Sequence, residues 1–113
     1  MIAGVVASQI TTEAPPAQVV TPTAYGNCFD EFGTKTVYPY AKNNDIENVT
    51  MYVEVNDSTP DISRGTVAPD AYSVEFSQVI TVSVTIYAQA KVTGRTDSTV
   101  ASRYINIGFC MLM

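Results

Sequence analysis

Histidine and tryptophan are absent from these 113 residues, and cysteine occurs only twice. Without histidine the chain lacks the commonest general base, the Ser-His and Cys-His nucleophile pairs, and the most frequent transition-metal ligand. Without tryptophan it has no indole platform for a sugar ring. Two isolated cysteines cannot build a structural zinc site. No glycine-rich phosphate loop is present. Basic residues are scarce as well: 6 Lys and Arg stand against 11 Asp and Glu, for a net charge of −5. That balance argues against a nucleic-acid partner, which needs a basic footprint on phosphate. It argues equally against docking on an anionic membrane. The expectation is a protein without cofactor or metal and without enzymatic chemistry.

Positive charge is missing from the start of the chain too. The first basic side chain is Lys35, so MIAGVVASQI has no basic region of the kind that opens a secretory signal. The uncharged run ends at Glu13, too short to span a bilayer. The expectation is synthesis in the cytoplasm without a signal peptide. In that compartment Cys28 and Cys110 read first as two free, mostly buried thiols.

What is there is β patterning. From Tyr72 to Val92 the even positions include Val74, Phe76, Ile80, Val82, Val84, Ile86, Ala88 and Ala90, while the odd positions are mostly polar. Successive strand side chains point to opposite faces, so this pattern sets one row on a core and one in water. A stretch of that length exceeds the usual strand. Either it is one long bent strand passing between two sheets, or a three-residue connection preserves its parity. Val49, Met51, Val53 and Val55 give a second half-buried strand. Thr34 to Tyr40 reads as a short strand, with Pro39 confining it to a sheet edge or strand end. Tyr25-Gly26-Asn27 and Glu31-Phe32-Gly33 read as turns, as does Thr93 to Asp97. Asn56 to Asp70 reads as a polar loop that holds at most a short edge strand near Ile62. Ala101 to Met113 reads as the last strand, with Ile105, Ile107, Phe109 and Met111 on one face. No helical periodicity of useful length appears. The fold class is therefore all-β, an antiparallel β-sandwich, jelly-roll-like or immunoglobulin-like, with an extended N-terminal arm.

Residues 1–24 form that arm, and 25–113 the sandwich domain. The arm is punctuated by Pro15, Pro16 and Pro22, which favour extended chain. It is also apolar at Ile2, Val5, Val6, Ile10, Val19 and Val20, as a free solvated tail need not be. The other end of the chain carries a similar signal. From Cys110 to Met113 every residue is apolar, a pattern expected of a strand covered on both faces. Phe109, Cys110, Met111 and Leu112 are therefore read, with the arm residues, as an assembly interface. Among the carboxylates, Asp57 and Asp61 with Asn56 have the oxygen chemistry of a calcium site but not its loop spacing, so they read as a solvated acidic loop.

The two cysteines offer a fork beyond free thiols. On the alternation above, Cys110 lies opposite the Ile105, Ile107 and Phe109 row and can face a neighbour, where Cys28 of another copy would meet it in an intersubunit disulfide. Here the chain resembles the bacterial endospore-appendage fibre subunits. The resemblance rests on Cys28, on Asn43-Asn44-Asp45-Ile46 before a strand, and on Phe109-Cys110. It departs from that family in an N-terminal arm without cysteine. The resemblance implies a sandwich with an N-terminal connector and a helical extracellular filament.

The function expected from these features is that of a non-enzymatic structural subunit. It assembles through its arm and C-terminal strand with copies of itself and with other shell proteins. By analogy of architecture, that points to a bacteriophage capsid decoration, cement or minor structural protein of the virion. The alternatives are the filament subunit and a small ligand- or carbohydrate-binding β module.

Overall fold

The computed structural model describes residues 17–113. They form two four-stranded sheets packed face to face. Thr23–Glu31 (β1) and Thr34–Lys42 (β2) make an antiparallel hairpin, in register from Thr23 opposite Lys42 to Glu31 opposite Thr34. Its two-residue turn is Phe32-Gly33, with φ of 54° and 86°. Two consecutive positive φ values match the right-handed twist of the flanking strands. Val49–Val55 (β3), Ser63–Val67 (β4), Gln78–Ile80 (β5), Val84–Lys91 (β6) and Ala101–Ile105 (β7) follow. A short 3-10 turn at Ile107–Phe109 leads to Met111–Leu112 (β8). The sheet orders are β5-β2-β1-β8 and β4-β3-β6-β7. All pairings are antiparallel except β1 with β8. The all-β sandwich expected from the alternation is the fold observed.

The core lies between the sheets and is built from small and β-branched side chains. Met51, Ile86, Val37, Val49 and Val53 are fully buried. The inward row of β6 is Val84, Ile86, Ala88 and Ala90, as the parity requires. The connection from β5 to β6 is the three residues Thr81–Ser83, and the two strands lie in different sheets. Parity holds because an odd-length crossover returns Val84 to the same inward side as Ile80.

Upstream of Ile80 the expected inward row fails. Tyr72 and Val74 are exposed while Ser73 is buried. There the chain follows the side of β2 rather than forming a strand. Ser73 N donates to Ala41 O, and Ala41 N donates to Ser73 Oγ. A hydroxyl that satisfies a buried backbone donor outweighs the hydrophobic alternation.

Two further expectations are corrected. Tyr25-Gly26-Asn27 is the middle of β1, not a turn. A Cβ on Gly26 would overlap Ile86 Cδ1 on the facing sheet. The glycine thus serves close sheet approach. Pro39 lies within an interior strand, fully buried. Its carbonyl faces the β5 side and accepts from Phe76 N, so its missing N–H faces that side too. The β5 ladder reaches only from Lys35 to Val37, so no ladder bond is lost at Pro39.

The domain boundary also moves. Val19, assigned to the arm, is 1% exposed and belongs to the sandwich core. Gln18 bridges Thr96, and β1 starts at Thr23. Residues 17–24 are therefore part of the domain rather than of an arm.

Candidate assembly surface

The C-terminal end of the chain switches sheets. β7 is the edge of one sheet, and β8 is the edge of the other. Asn106 Oδ1 accepts from Gly108 N, capping the 3-10 turn that makes the crossing. β8 then pairs in parallel with β1, Phe29 opposite Met111 and Asp30 opposite Leu112, and Met113 N donates to Asp30 O. Cys110 bonds Cys28 of the same chain, with Cα atoms 4.6 Å apart. This replaces both expectations for the cysteines, free thiols and an intersubunit bridge. The physical reason is the sheet switch. A continuous last strand would turn Cys110 away from the core, but the 3-10 turn rotates it onto β1, where it packs against the core beside Cys28.

Burial on both faces was expected for Cys110–Met113. It holds in part for Cys110 and fails for the rest. Phe109 is 82%, Met111 58%, Leu112 83% and Met113 75% exposed. Phe32, at the tip of the neighbouring hairpin, is 99% exposed. The pairing of β8 with the end of β1 puts these five side chains around one end of the sandwich. Apolar surface concentrated in this way marks an interaction site more often than scattered exposed residues do.

Beside this end a groove of about 480 Å³ opens between β1 and β7. Gly26, Cys28 and Ile105 form its floor, and Arg103, Tyr104, Asn106 and Phe109 its rim. β7 pairs only with β6, so its other backbone edge has no strand partner among the described residues. The groove therefore combines an apolar floor, one cation and an open strand edge.

The opposite end of the sandwich holds the root of the N-terminal segment. Val19 N donates to Thr96 O, and Thr96 N to Ala17 O. Arg95 closes the clasp. Its guanidinium donates to Asp45 Oδ1 at 3.0 Å, Asp45 Oδ2 at 3.1 Å, Glu47 Oε1 at 2.6 Å and Gln18 O at 3.0 Å. Asp45 also accepts from Val20 N and Glu47 N. The Arg95 hydrogen bonds are the main reason that the Asp45 carboxyl is lowered to about 2, against the opposing effect of burial. The same contacts, with Asp45 first, raise Arg95 further above its ordinary value. Asn43, fully buried, braces the loop by donating to Glu47 O and Val67 O and accepting from Asp45 N. This clasp was invisible in the sequence. Asn43 to Asp45 stand out only as residues before a strand and Arg95 as part of a turn, and nothing local joins residues separated by 50 positions.

The acidic loop does assemble a carboxylate group, with Glu54 joining Asp57 and Asp61 within 4.8 Å. Two of its three members bond the loop backbone: Glu54 accepts from Asp61 N and Ile62 N, and Asp57 from Thr59. Carboxylates placed this way order the loop themselves.

Of the residues expected to form an interface, Phe109, Met111 and Leu112 come together at the exposed end. Cys110 is held by the disulfide, Val19 is core, and Val20 is partly exposed beside the clasp. Ile2, Val5, Val6 and Ile10 lie outside the described residues. Sequence reasoning missed Phe32, Arg103 and Met113. The Phe-Gly turn signal marked the first of these, and the apolar C-terminal run the last.

No protein-family model matches the chain, and no curated protein does. Among solved structures it is similar to the PKD domain of an M14-like peptidase from Thermoplasmatales archaeon SCGC AB-540-F20. The two share 21% identity with a TM-score of 0.48, over 88% of this chain and 98% of that one.

Proposed function

We propose that this protein is a non-enzymatic structural subunit. In this reading its apolar C-terminal end, with the segment upstream of Ala17, joins it to copies of itself and to other shell proteins. The setting that fits best is a bacteriophage virion, as a decoration or minor structural protein. The observation that carries the reading is the cluster of Phe32, Phe109, Met111, Leu112 and Met113, all more than half exposed at one end of the sandwich. Side chains of this kind bury well against a partner and gain little in water. The Cys28–Cys110 disulfide supports a final location outside reducing cytoplasm, such as a released particle.

A second reading, the filament subunit, draws on one observation. The N-terminal root at Arg95 and the apolar C-terminal end occupy opposite ends of the sandwich. A contact joining the two is heterologous and need not close on itself. The intrachain disulfide removes the covalent stitching between copies that the filament reading first invoked.

The test is light scattering of the full chain, of a chain lacking residues 1–12, and of Phe109→Ser/Leu112→Ser. The full chain is expected to form oligomers or larger particles, and both variants to run as folded monomers. A full chain that stays at 12.2 kDa at high concentration overturns self-association. Assembly that survives the truncation removes the N-terminal segment from the mechanism.

A further inference from the structure

We propose that the outward face of the β5-β2-β1-β8 sheet pairs with the same face of a second copy. The two-fold axis passes at Asn27 and Tyr38, and Glu31 of each copy meets Lys42 of the other. This rests on the reading that the protein joins copies of itself. To the contact at the apolar end it adds one that closes on two subunits.

Alternation settles what this face carries. Ala24, Cys28, Val37 and Ala41 are buried against the other sheet. Tyr25, Asn27, Phe29 and Glu31 of β1 therefore point outward, as do Thr36, Tyr38, Tyr40 and Lys42 of β2. β5 adds Val79 opposite Thr36, and β8 adds Met111 opposite Phe29; these are 62% and 58% exposed. The rings of Tyr25 and Tyr40 stack with centroids 5.3 Å apart, and Tyr72 meets both at 6.1 and 5.8 Å. Tyr38 meets Phe29 edge-on at 5.8 Å. Between Glu31 and Lys42 no charged side chain of the hairpin points outward. The outward face of the other sheet differs, with Glu54, Gln89 and Lys91 on it. An outward sheet face is ordinarily polar, whereas a tyrosine-rich face without charge at its centre has the composition of an interface core.

Charge selects a second copy as the occupant. Of the six basic residues, Lys35, Lys91 and Arg95 have ion pairs. Arg64 lies over the Phe76 ring at 3.6 Å, and Arg103 belongs to β7 of the other sheet. Lys42 is thus the cation this face presents, and Glu31 stands at the opposite end of the hairpin. Neither has an ion pair among the described residues. A strip with an anion at one end, a cation at the other and aromatic rings between is complementary to itself when turned end for end.

The register bears this out. Lys42 lies opposite Thr23, and the midpoint between Thr23 and Glu31 is Asn27, opposite Tyr38. A two-fold axis across the strands there sets Tyr25 over Phe29 of the second copy. Glu31 then falls one strand spacing, about 4.8 Å, from the second copy's Lys42. Tilting the axis by about 10° aligns the pair and crosses the strands at roughly 20°, within the range of aligned sheets. Val79 comes beside the second copy's Tyr72, which flanks β2 at Lys42. Glu75, exposed on the chain that flanks β2, comes over β5 of the second copy, which carries no carboxylate. From strand rise and spacing the face measures roughly 500 Å² per copy. About 1,000 Å² across the pair is the lower end for a specific contact, so the dimer is reversible.

The experiment is sedimentation equilibrium on full-length Phe109→Ser/Leu112→Ser, in which the end contact is weakened. This background is expected to pass from monomer to dimer between about 10 µM and about 1 mM, the range of a small reversible interface. Within it, Glu31→Lys and Lys42→Glu are each expected to dimerise about tenfold more weakly. An equimolar mixture of the two is expected to form a heterodimer about as tight as the background pair, because both bridges are restored. Val79→Asp is expected to weaken dimerisation without altering either charge. Circular dichroism and thermal midpoints first establish that every variant folds. Charge variants that dimerise like the background, or a mixture without heterodimer, overturn the register. A background that stays monomeric, or Val79→Asp that dimerises unchanged, overturns the face contact; the end contact stands if the native chain still assembles. Dimerisation that appears only after removal of residues 1–12 assigns the face to the chain's own N-terminal segment and overturns the second copy as its occupant.

Discussion

At the scale of single residues, Asp45 and Gly26 show two different ways in which one position controls the fold. Asp45 holds Arg95, Val20 and Glu47 at once from a side chain with no exposed surface. Its folded pKa of about 2 lies below the ordinary carboxylate value. Stability from this group is therefore complete above about pH 4 to 5 and is lost as pH falls toward 2. Asp45→Asn is expected to cost about 3 kcal/mol at neutral pH in urea denaturation. It should also flatten the fall in thermal midpoint between pH 5 and pH 2 relative to the native chain. Gly26→Ala puts a methyl group where Ile86 Cδ1 sits, and a loss of about 2 kcal/mol is expected from overpacking. An unchanged midpoint would mean that the sheets separate there at no cost. Neither role was legible beforehand. Tyr25-Gly26-Asn27 looks like a turn because a turn and a close sheet approach both ask for glycine, and only the facing strand distinguishes them.

At the scale of elements, alternation was readable wherever a strand packs one face on the core and little else acts on it. Val49 to Val55 and Val84 to Ala90 are of that kind. Val84→Asp is expected to unfold the domain, because it buries a charge with no partner; a folded, soluble variant would put β6 the other way out. The pattern misled where polar bonds decide the path, as at Ser73, and where the chain changes sheets, as at Asn106 to Cys110. β8 is the element most dependent on a covalent bond. It is two residues long, and its own side chains bury little. Closing a loop between positions 82 apart is worth about 4 kcal/mol in the chain-entropy view. Cys28→Ser/Cys110→Ser is therefore expected to lower stability by about 2–4 kcal/mol. It should also raise hydrogen exchange at Met111–Met113 well beyond that at β6. Equal protection in both proteins would show that pairing with β1 alone holds the strand.

At the scale of the whole molecule, the sandwich class followed from the sequence, but its ends did not. The 1–24 boundary placed Val19 in an arm because Pro22 follows it; in fact Pro22 lies between a core residue and β1, within chain already bound to the Arg95 clasp. The exposed C-terminal end was expected as a contact for the wrong local reason, double burial, and emerges as a contact candidate from its exposure instead. Replacing Phe32 by Ser, at a side chain that is 99% exposed, is expected to leave the unfolding free energy within about 0.5 kcal/mol of native while weakening association in light scattering. A drop in stability without a change in association would assign Phe32 to the hairpin rather than to the surface.

The disulfide also decides how the molecule bears tension. The shortest covalent route from Ala17 to Met113 leaves the backbone at Cys28 and rejoins it at Cys110, 82 positions further on, bypassing the chain between them. If neighbours pull on the N-terminal root and on the C-terminal end, the force runs through the clasp, the first half of β1 and one sulfur bridge. Strands β2 to β7 hang on that line as a closed loop and cannot be drawn out while the bridge is intact. A subunit wired this way can sit in series in a strained lattice without lengthening by unfolding.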